Sequence, residues 1–219
     1  MPESSGQIIM KEKFIKGLKW FFFSFIWLAV LLLVIDILTK RLVISAIQNG
    51  SSNPICEIIP GFLNIEFTLN KAAAFGLGFE NPVTNRVLYI CVAVLGSSGI
   101  TVYYSVKYKS IPNILKASLL MIVSGAIGNL IDRVFYADAE YCVIDWINFY
   151  GIWPFHFNIA DSCIVVATFI IIIWLIVDSI KEFKQKRALE AKEEGATERV
   201  LSIEEQRREQ EKKDEESSN

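Results

Sequence analysis

Four long apolar stretches dominate the chain, and they predict four transmembrane helices. A spanning helix needs about 20 consecutive apolar residues. Residues 20–38 carry Asp36 as their one charge, and the helical pattern continues through Lys40 towards Ile44. Three further stretches have the same character, namely 87–106, 111–131 and 157–177. The third of these four stretches contains Ser124, Gly125 and Gly128, small residues that allow close helix packing in membranes.

A short strand is predicted within the long connection between the first two helices, residues 45–86. Apolar and polar residues alternate from Leu63 to Asn70, which is the pattern of a half-buried strand with one polar row ending at Asn70. Pro60 and Gly61 precede it as turn residues. A strand cannot lie open in hydrocarbon. We therefore expect an all-α membrane protein with four transmembrane helices, a small extracytoplasmic β element and an amphipathic segment.

Basic residues predict the orientation of the helices. They lie just before the first helix, between the second and third helices, and just after the fourth helix. These positions lie on one side, which the positive-inside rule makes cytoplasmic. Both termini are then cytoplasmic, and loops 45–86 and 132–157 face outward. The expected organisation is a cytoplasmic segment at 1–19, a membrane domain at 20–180 and a charged cytoplasmic tail at 181–219.

Composition agrees with a membrane protein and argues against several other classes. The chain is 53% hydrophobic, with a mean hydropathy of +0.39. The tail accounts for the net charge of −2, so no basic surface predicts nucleic-acid binding. With one histidine, His156, and no zinc-like cysteine spacing, we expect no metal and no cofactor. A disulfide between Cys56 and Cys142, on the two outward loops, is left open.

Acids and amides gather at the predicted outer edge of the helices, and ionisable groups at a membrane boundary indicate a functional site by default. Two carboxylates close together on a partly dry surface do not both ionise readily, so one can hold a proton while the other accepts one from water. Sequence shows no serine or cysteine with a histidine base. The residues concerned are Asp36, Asn70, Asn129, Asp132, Arg133, Asp145, Asn158 and Asp161.

Structural roles could account for two pairs of these residues without any chemistry. Asp36 and Lys40 are spaced i,i+4 and could neutralise each other on one helix face. Asn158 and Asp161 have the spacing of a helix N-cap and a carboxylate at N3. Neither pair therefore demonstrates a catalytic site by itself.

The other two aspartates also allow structural interpretations. Asp132 lies near the C-terminal end of its helix, where the dipole disfavours an anion, and Arg133 could compensate it. Asp145 lies between apolar neighbours and could be a solvated interfacial carboxylate. Two rival functions remain at this point, a small ion-coupled transporter and a structural membrane subunit. The transporter predicts acids near the middle of the bilayer, whereas these acids cluster at one end of the helices.

Five motifs in order resemble the lipoprotein signal peptidases, also called signal peptidase II, which are bacterial membrane aspartic endopeptidases. They are the D-x-x-x-K of Asp36 and Lys40, Asn70 before an Ala-Ala-Phe-Gly segment, GNLIDR at 128–133, VIDW at 143–146 and FNIADS at 157–162. The resemblance covers roughly residues 20–180. It implies an enzyme of the bacterial cytoplasmic (inner) membrane with its active site facing the extracytoplasmic side.

The resemblance implies roles for particular residues. Asp145 and Asp161 match the catalytic pair, and the other positions match residues that bind substrate or support the site, namely Asp36, Lys40, Asn70, Asn129, Asp132, Arg133 and Asn158. The implied partners are membrane lipids and prolipoproteins bearing a diacylglyceryl-cysteine, cleaved just before that cysteine. Ala72 stands where the family usually has glycine, which puts a positive φ there in doubt. We expect the 63–70 strand and the 71–79 segment to cradle the substrate.

Overall fold

The computed structural model describes residues 5–71, 81–136 and 140–217, so most of the expected 71–79 segment, including Ala72, lies outside the described residues. The chain divides into two compact units, Met1–Ile171 and Ile172–Asn219. In chain order the elements are α1 (Ser5–Ser24), α2 (Ile26–Gln48), β1 (Cys56–Ile59), β2 (Leu63–Asn70), α3 (Pro82–Lys107), α4 (Asn113–Phe135), β3 (Val143–Phe149), β4 (His156–Phe157) and α5 (Ile159–Ser217).

Three helices of the described chain are long and apolar enough to cross a membrane, and a bent pair makes a fourth span possible. The three are α3, α4 and the 159–195 portion of α5. The bent pair is formed by α1 and α2, whose axes meet at 55°. The expectation of one unbroken first helix starting at Trp20 is therefore wrong, because the helix breaks at Phe25, which has a left-handed φ of 57°. The tail beyond residue 181 is helical to Ser217.

Helix α4 is the most buried of these helices, and its small residues explain how neighbouring helices approach it. A Cβ atom added at Gly125 would collide with the backbone oxygen of Ala160, and one at Gly128 would lie 2.6 Å from Asp36 Oδ2. Ser124 Oγ donates a hydrogen bond to Ala29 O of α2 at 2.8 Å. Small residues thus bring α2, α4 and the start of α5 together, as the sequence predicted.

Four antiparallel strands form one sheet in the order β1-β2-β3-β4. The predicted strand from Leu63 to Asn70 is confirmed as β2, while β1, β3 and β4 were not predicted. The fold is therefore mainly helical, as expected, with a larger sheet than the single strand that alternation indicated.

A β-bulge in β2 changes which side chains share a face of the sheet. Ile65 pairs with Ile147 and Thr68 pairs with Asp145, so two residues of β2 lie opposite Trp146 alone. Directly opposed residues share a face, and a one-residue slip exchanges the faces. The prediction of one unbroken polar row is wrong for this reason. Beyond the bulge, Asn70 shares the face of Asp145.

Candidate active site

Asp145 is held in the middle of β3, where it is 1% exposed. Asn70 Nδ2 donates to Asp145 Oδ2 at 2.9 Å, and Asn158 Nδ2 donates to Asp145 Oδ1 at 2.7 Å. The first of these bonds depends on the bulge, because Asn70 would otherwise project from the opposite face of the sheet. Asp145 is therefore not the solvated interfacial carboxylate that its neighbours in sequence allowed.

Asp161 lies in the first turn of α5 and is part of a reciprocal cap. Asn158 Oδ1 accepts from Asp161 N at 2.8 Å, and Asp161 Oδ2 accepts from Asn158 N at 3.4 Å. This exchange is a capping box, which satisfies amide donors that a helix start leaves unpaired. The second oxygen, Asp161 Oδ1, accepts from Asn129 Nδ2 at 2.8 Å.

Asn158 connects the two aspartates directly. Its side chain is fully buried, and its amino group contacts Asp145 Oδ1, Asn129 Oδ1 at 3.0 Å and Ile144 O at 3.3 Å. Its carbonyl oxygen caps Asp161 as described above. The side chain of Asn158 thus joins the carboxylate of Asp145 on β3 to the backbone amide of Asp161 on α5, two residues that lie 16 positions apart in sequence.

Lys40 forms the cationic centre of the site. Its ammonium group lies 2.8 Å from Asp36 Oδ2, 2.8 Å from Asp132 Oδ2 and 3.0 Å from Asn129 Oδ1, and the side chain is fully buried. Two carboxylates and one amide oxygen therefore surround its charge. Lysine is rarely buried unless it is paired in this way. The i,i+4 pair with Asp36 is present, but it belongs to a larger network.

The carboxyl group of Asp36 also reaches the start of α5. Asp36 Oδ1 accepts from Ala160 N at 2.9 Å. The first-turn amides of Ala160 and Asp161 are thus both capped, one by a side chain of α2 and one by Asn158. An acid at a helix N-terminus is favoured by the helix dipole. Asp36 therefore links Lys40 to the helix that carries Asp161.

Two cations besides the predicted Arg133 lie within ion-pair distance of Asp132. Among the described residues its ion-pair partners are Lys40 at 2.8 Å and Arg41 at 3.4 Å, and Ile144 N donates to its Oδ2 at 3.4 Å. Arg133 donates to Asn129 O at 3.2 Å and interacts electrostatically with Asp161, Asp145 and, in agreement with the prediction, Asp132. Asp132 therefore connects α2 to β3, while the charge of Arg133 acts on all three aspartates, Asp161, Asp145 and Asp132.

The environment of Asp145 favours its protonated form. Burial and, second to it, the negative charge of Asp161 raise the pKa of Asp145 to about 7, against the opposing effects of the hydrogen bonds from Asn70 and Asn158 and of the charge of Lys40. Because the two carboxyl groups influence each other, they titrate as a pair. The pair can hold one proton near neutral pH. No group of three or more metal-ligating side chains occurs within the described ranges.

A cavity of about 240 Å³ adjoins the network. Asn70 and Arg133 line it, so it is next to the donor that contacts Asp145. Its wall also includes Cys142, which is a free thiol, as is Cys56, so the disulfide left open by the sequence is not formed. The cavity thus provides space next to a residue that contacts Asp145, although neither Asp145 nor Asp161 is among its lining residues. The remaining lining residues are Lys71, Pro82, Val83, Arg86, Glu140 and Tyr141.

Sequence reasoning missed two arginines that support this region. Arg41 contacts Asp132, and its guanidinium lies 3.1 Å from the centre of the Tyr136 ring. Arg86 Nε donates to Arg133 O at 2.8 Å, near the end of α4 where backbone carbonyls lack helical partners. The role of Arg41 could have been suspected from the sequence, because it follows Lys40 directly. Nothing in the sequence around Arg86 indicates its role.

Fold and site together define a multi-pass membrane protein whose site contains two aspartates, Asp145 buried and Asp161 half-buried. Comparison with known families makes this more specific. The family model for signal peptidase (SPase) II matches residues 28–177. The chain belongs to this family and is an aspartic-type endopeptidase. Membership decides against both the transporter and the structural subunit.

Individual relatives and solved structures agree with this assignment. A lipoprotein signal peptidase of Fusobacterium nucleatum is 36% identical over 149 residues, covering 68% of this chain and 84% of the relative. A lipoprotein signal peptidase of Clostridium novyi is 34% identical over 149 residues, covering 67% of this chain and 96% of the relative. A solved structure described as a bacterial membrane enzyme is 28% identical with a TM-score of 0.57, covering 70% of this chain and 88% of its own. A second such structure has a TM-score of 0.54.

Proposed function

We propose that this protein is a lipoprotein signal peptidase that removes signal peptides from prolipoproteins carrying a diacylglyceryl-cysteine, cutting just before that cysteine. The similarity to relatives of that name supports the substrate class. The motifs at 128–133 and 157–162, which carry the resemblance, contribute Asn129, Asn158 and Asp161 to one hydrogen-bonded network. A lipid-bearing substrate would reach this network from the bilayer, and water would reach it from the outer side.

The chemistry that we assign to Asp145 and Asp161 is general acid–base catalysis with one shared proton. The ionised carboxylate removes a proton from water, whose oxygen attacks the scissile carbonyl, while the protonated carboxyl gives its proton to the carbonyl oxygen. As the tetrahedral intermediate collapses and its C–N bond breaks, the carboxyl group that took a proton from water gives it to the leaving amine, and the other carboxylate takes a proton from a hydroxyl group of the intermediate, which restores the shared proton. The observation that carries this proposal is the single asparagine, Asn158, contacting both carboxyl groups.

The remaining predicted site residues take positioning and binding roles in this proposal. Lys40 and Asp36 hold the α2 side of the network, and Asp132 holds β3 through Ile144 N. Asn129 orients Asp161. Arg133 and Asn70 line the cavity and would contact the peptide near the scissile bond. The four positioning residues do not need to touch the substrate, namely Lys40, Asp36, Asp132 and Asn129.

The location that we propose is the bacterial cytoplasmic membrane, with both termini in the cytoplasm and the sheet on the outer side. The distribution of basic residues supports this orientation, since Lys107 ends α3, Lys109 follows it, and further basic residues follow the apolar part of α5. The sheet, whose backbone edges require water or a polar interface, lies at the other ends of these helices.

The test is cleavage of a diacylglyceryl-modified precursor by purified protein, comparing wild type with Asp161→Asn and Asp145→Asn. Each variant should lower the rate on the order of 10³-fold while inserting into membranes normally, because each removes one partner in proton transfer. The matched control is Asp178→Asn, on the same helix but outside the network, which should cleave at the wild-type rate.

A precursor whose cysteine lacks the lipid provides the second arm of the experiment. We expect it to be cleaved poorly by wild type, because part of the binding energy comes from the acyl chains. Normal cleavage by Asp145→Asn would refute the proposed mechanism. Equal cleavage of lipidated and unlipidated precursors would refute the proposed substrate class without affecting the mechanism.

A further inference from the structure

The N-terminal helix α1 is not explained by membership of the peptidase family. The family match begins at residue 28, after α1 ends at Ser24. Residues 10–23 are all exposed, including Phe14 at 70% and Phe23 at 56%. Large exposed apolar surfaces mark sites of contact with another phase or partner. The helix therefore needs a partner that the family fold does not supply.

The two faces of α1 differ in chemistry. Met10, Phe14, Leu18 and Phe21 follow the helical spacing and form one apolar stripe, with Ile15 and Phe22 beside it. The rest of the circumference carries Lys13, Lys16 and Lys19 together with Glu12, and one further lysine, Lys11, lies at the angular position between Leu18 and Phe22. Residues 20–23 form a final turn that is aromatic on every side. A lysine-bearing face, an apolar face and an aromatic turn are typical of helices that lie at a membrane surface.

The break between α1 and α2 is held by specific contacts. Ser24 is fully buried, and Tyr104 of α3 donates its hydroxyl hydrogen to Ser24 O, a carbonyl near the break. Trp27 Nε1 donates to Phe22 O at 3.2 Å across the break. Tyr104 lies three residues before Lys107, where α3 ends. The bend is therefore level with the basic turn between α3 and α4, at the membrane boundary.

Helix α2 can cross the bilayer without α1. Its 23 residues span about 34 Å at 1.5 Å per residue, which exceeds the hydrocarbon thickness of about 30 Å. Asp36 and Lys40 within it are buried and paired, so they do not prevent it from spanning. The 55° bend then directs α1 away from the path by which α2 crosses.

We propose that α1 lies on the membrane surface at the end of the bundle where the α3–α4 turn emerges, bound to anionic phospholipids. The apolar stripe enters the boundary of the acyl chains, and Lys13, Lys16 and Lys19 contact the anionic headgroups. Anionic lipid is the partner because its charge complements these lysines, and because the bilayer around α2 already adjoins α1.

The experiment uses full-length protein in vesicles of phosphatidylcholine with and without phosphatidylglycerol. A glutamate-specific protease cuts after Glu12 in α1 and after Glu190 in the tail, and both residues are exposed. The ratio of the two rates corrects for the orientation of the protein in each vesicle. Each lysine near an anionic surface contributes about fivefold to binding, so we expect phosphatidylglycerol to slow cleavage at Glu12 at least tenfold relative to Glu190.

A triple variant, K13Q/K16Q/K19Q, should lose this lipid-dependent protection. The matched control K184Q/K186Q/R187Q removes the same charge from the exposed start of the tail and should keep it. Equal cleavage at Glu12 with and without phosphatidylglycerol in wild type would overturn the proposal. Complete protection of Glu12 in both lipids, in wild type and in the triple variant, would also overturn it, since α1 would then be embedded as part of a span.

Discussion

Replacing Asp145 with asparagine should stabilise the folded protein at alkaline pH while removing a proposed catalytic group. Burial and the charge of Asp161 raise the pKa of Asp145 from its ordinary value of 3.8 to about 7. A carboxyl group whose pKa is raised by folding stabilises the fold below its unfolded pKa, and this contribution is lost as the pH rises through 7. Asparagine stays neutral throughout, so the variant does not undergo this loss.

The magnitude follows from the size of the pKa change. The difference 7 − 3.8 is 3.2, which corresponds to an upper limit of about 4 kcal/mol at 1.36 kcal/mol per unit. Both oxygens of Asp145 accept hydrogen bonds, from Asn70 and Asn158. The amino group of an asparagine would face one of these donors, which costs about 1–3 kcal/mol. We therefore expect a net gain of about 2 kcal/mol at pH 9.

Thermal unfolding in detergent, followed by tryptophan fluorescence between pH 5 and pH 9, measures this effect. For a protein of this size, about 2 kcal/mol corresponds to a rise of about 4–8 °C in Tm at pH 9. The gain should shrink towards pH 5, where Asp145 is protonated in the wild type. The control Asp178→Asn should follow the wild type at every pH. A Tm difference that does not change with pH would refute the reasoning.

Two further substitutions test the packing around the site. Lys40→Met should destabilise the protein by about 3–5 kcal/mol in thermal unfolding, because Asp36 and Asp132 lose their shared counter-ion. Adding Asp36→Asn should recover part of that loss, and purely additive effects would contradict a shared network. Gly125→Ala should lower Tm by an overpacking cost of about 1–3 kcal/mol. Gly96→Ala, where an added Cβ meets no atom within 4 Å, should not lower Tm, and equal losses would contradict the close approach.

Apolar runs predicted the helices well because bilayer thickness fixes the length of any spanning segment. Each predicted run at 87–106, 111–131 and 157–177 overlaps α3, α4 or α5. The break at Phe25 could not be predicted in the same way. It depends on Tyr104, a residue 79 positions further along the chain that holds Ser24 O. Local hydropathy contains no information about such a contact.

Alternation predicted β2 because a half-buried strand has a period of two. The same rule did not predict correctly which face of the sheet each polar residue of β2 occupies. The bulge opposite Trp146 places the polar residues before it and those after it on opposite faces. Strand β3 was not predicted because its seven residues, including Val143 and Ile144, are mostly apolar and buried. A short apolar run without alternation does not distinguish a strand from a loop or a buried helix segment.

The predicted site residues do converge, but their pairings had to come from the structure. Position in the sequence placed Asp132 beside Arg133, and adjacency suggested an ion pair. On a helix, neighbours in sequence project about 100° apart, so they face different surroundings. Asp132 accordingly forms its ion pair at 2.8 Å with Lys40 of α2, and the interactions of Arg133 with Asp161 and Asp145 come before its interaction with Asp132. Spacing of i,i+4, as for Asp36 and Lys40, was the more reliable guide.

The structural and the catalytic interpretations of Asn158 and Asp161 are not alternatives. The capping box that stabilises the start of α5 uses Asn158 Oδ1 and one oxygen of Asp161. This leaves the amino group of Asn158 to contact Asp145, and leaves Asp161 Oδ1 to Asn129. The cap therefore fixes the rotamers of both residues, so that Asp161 is oriented before any substrate binds. Preorganisation of this kind is what acid–base catalysis requires, and here it comes from the same bonds that begin the helix.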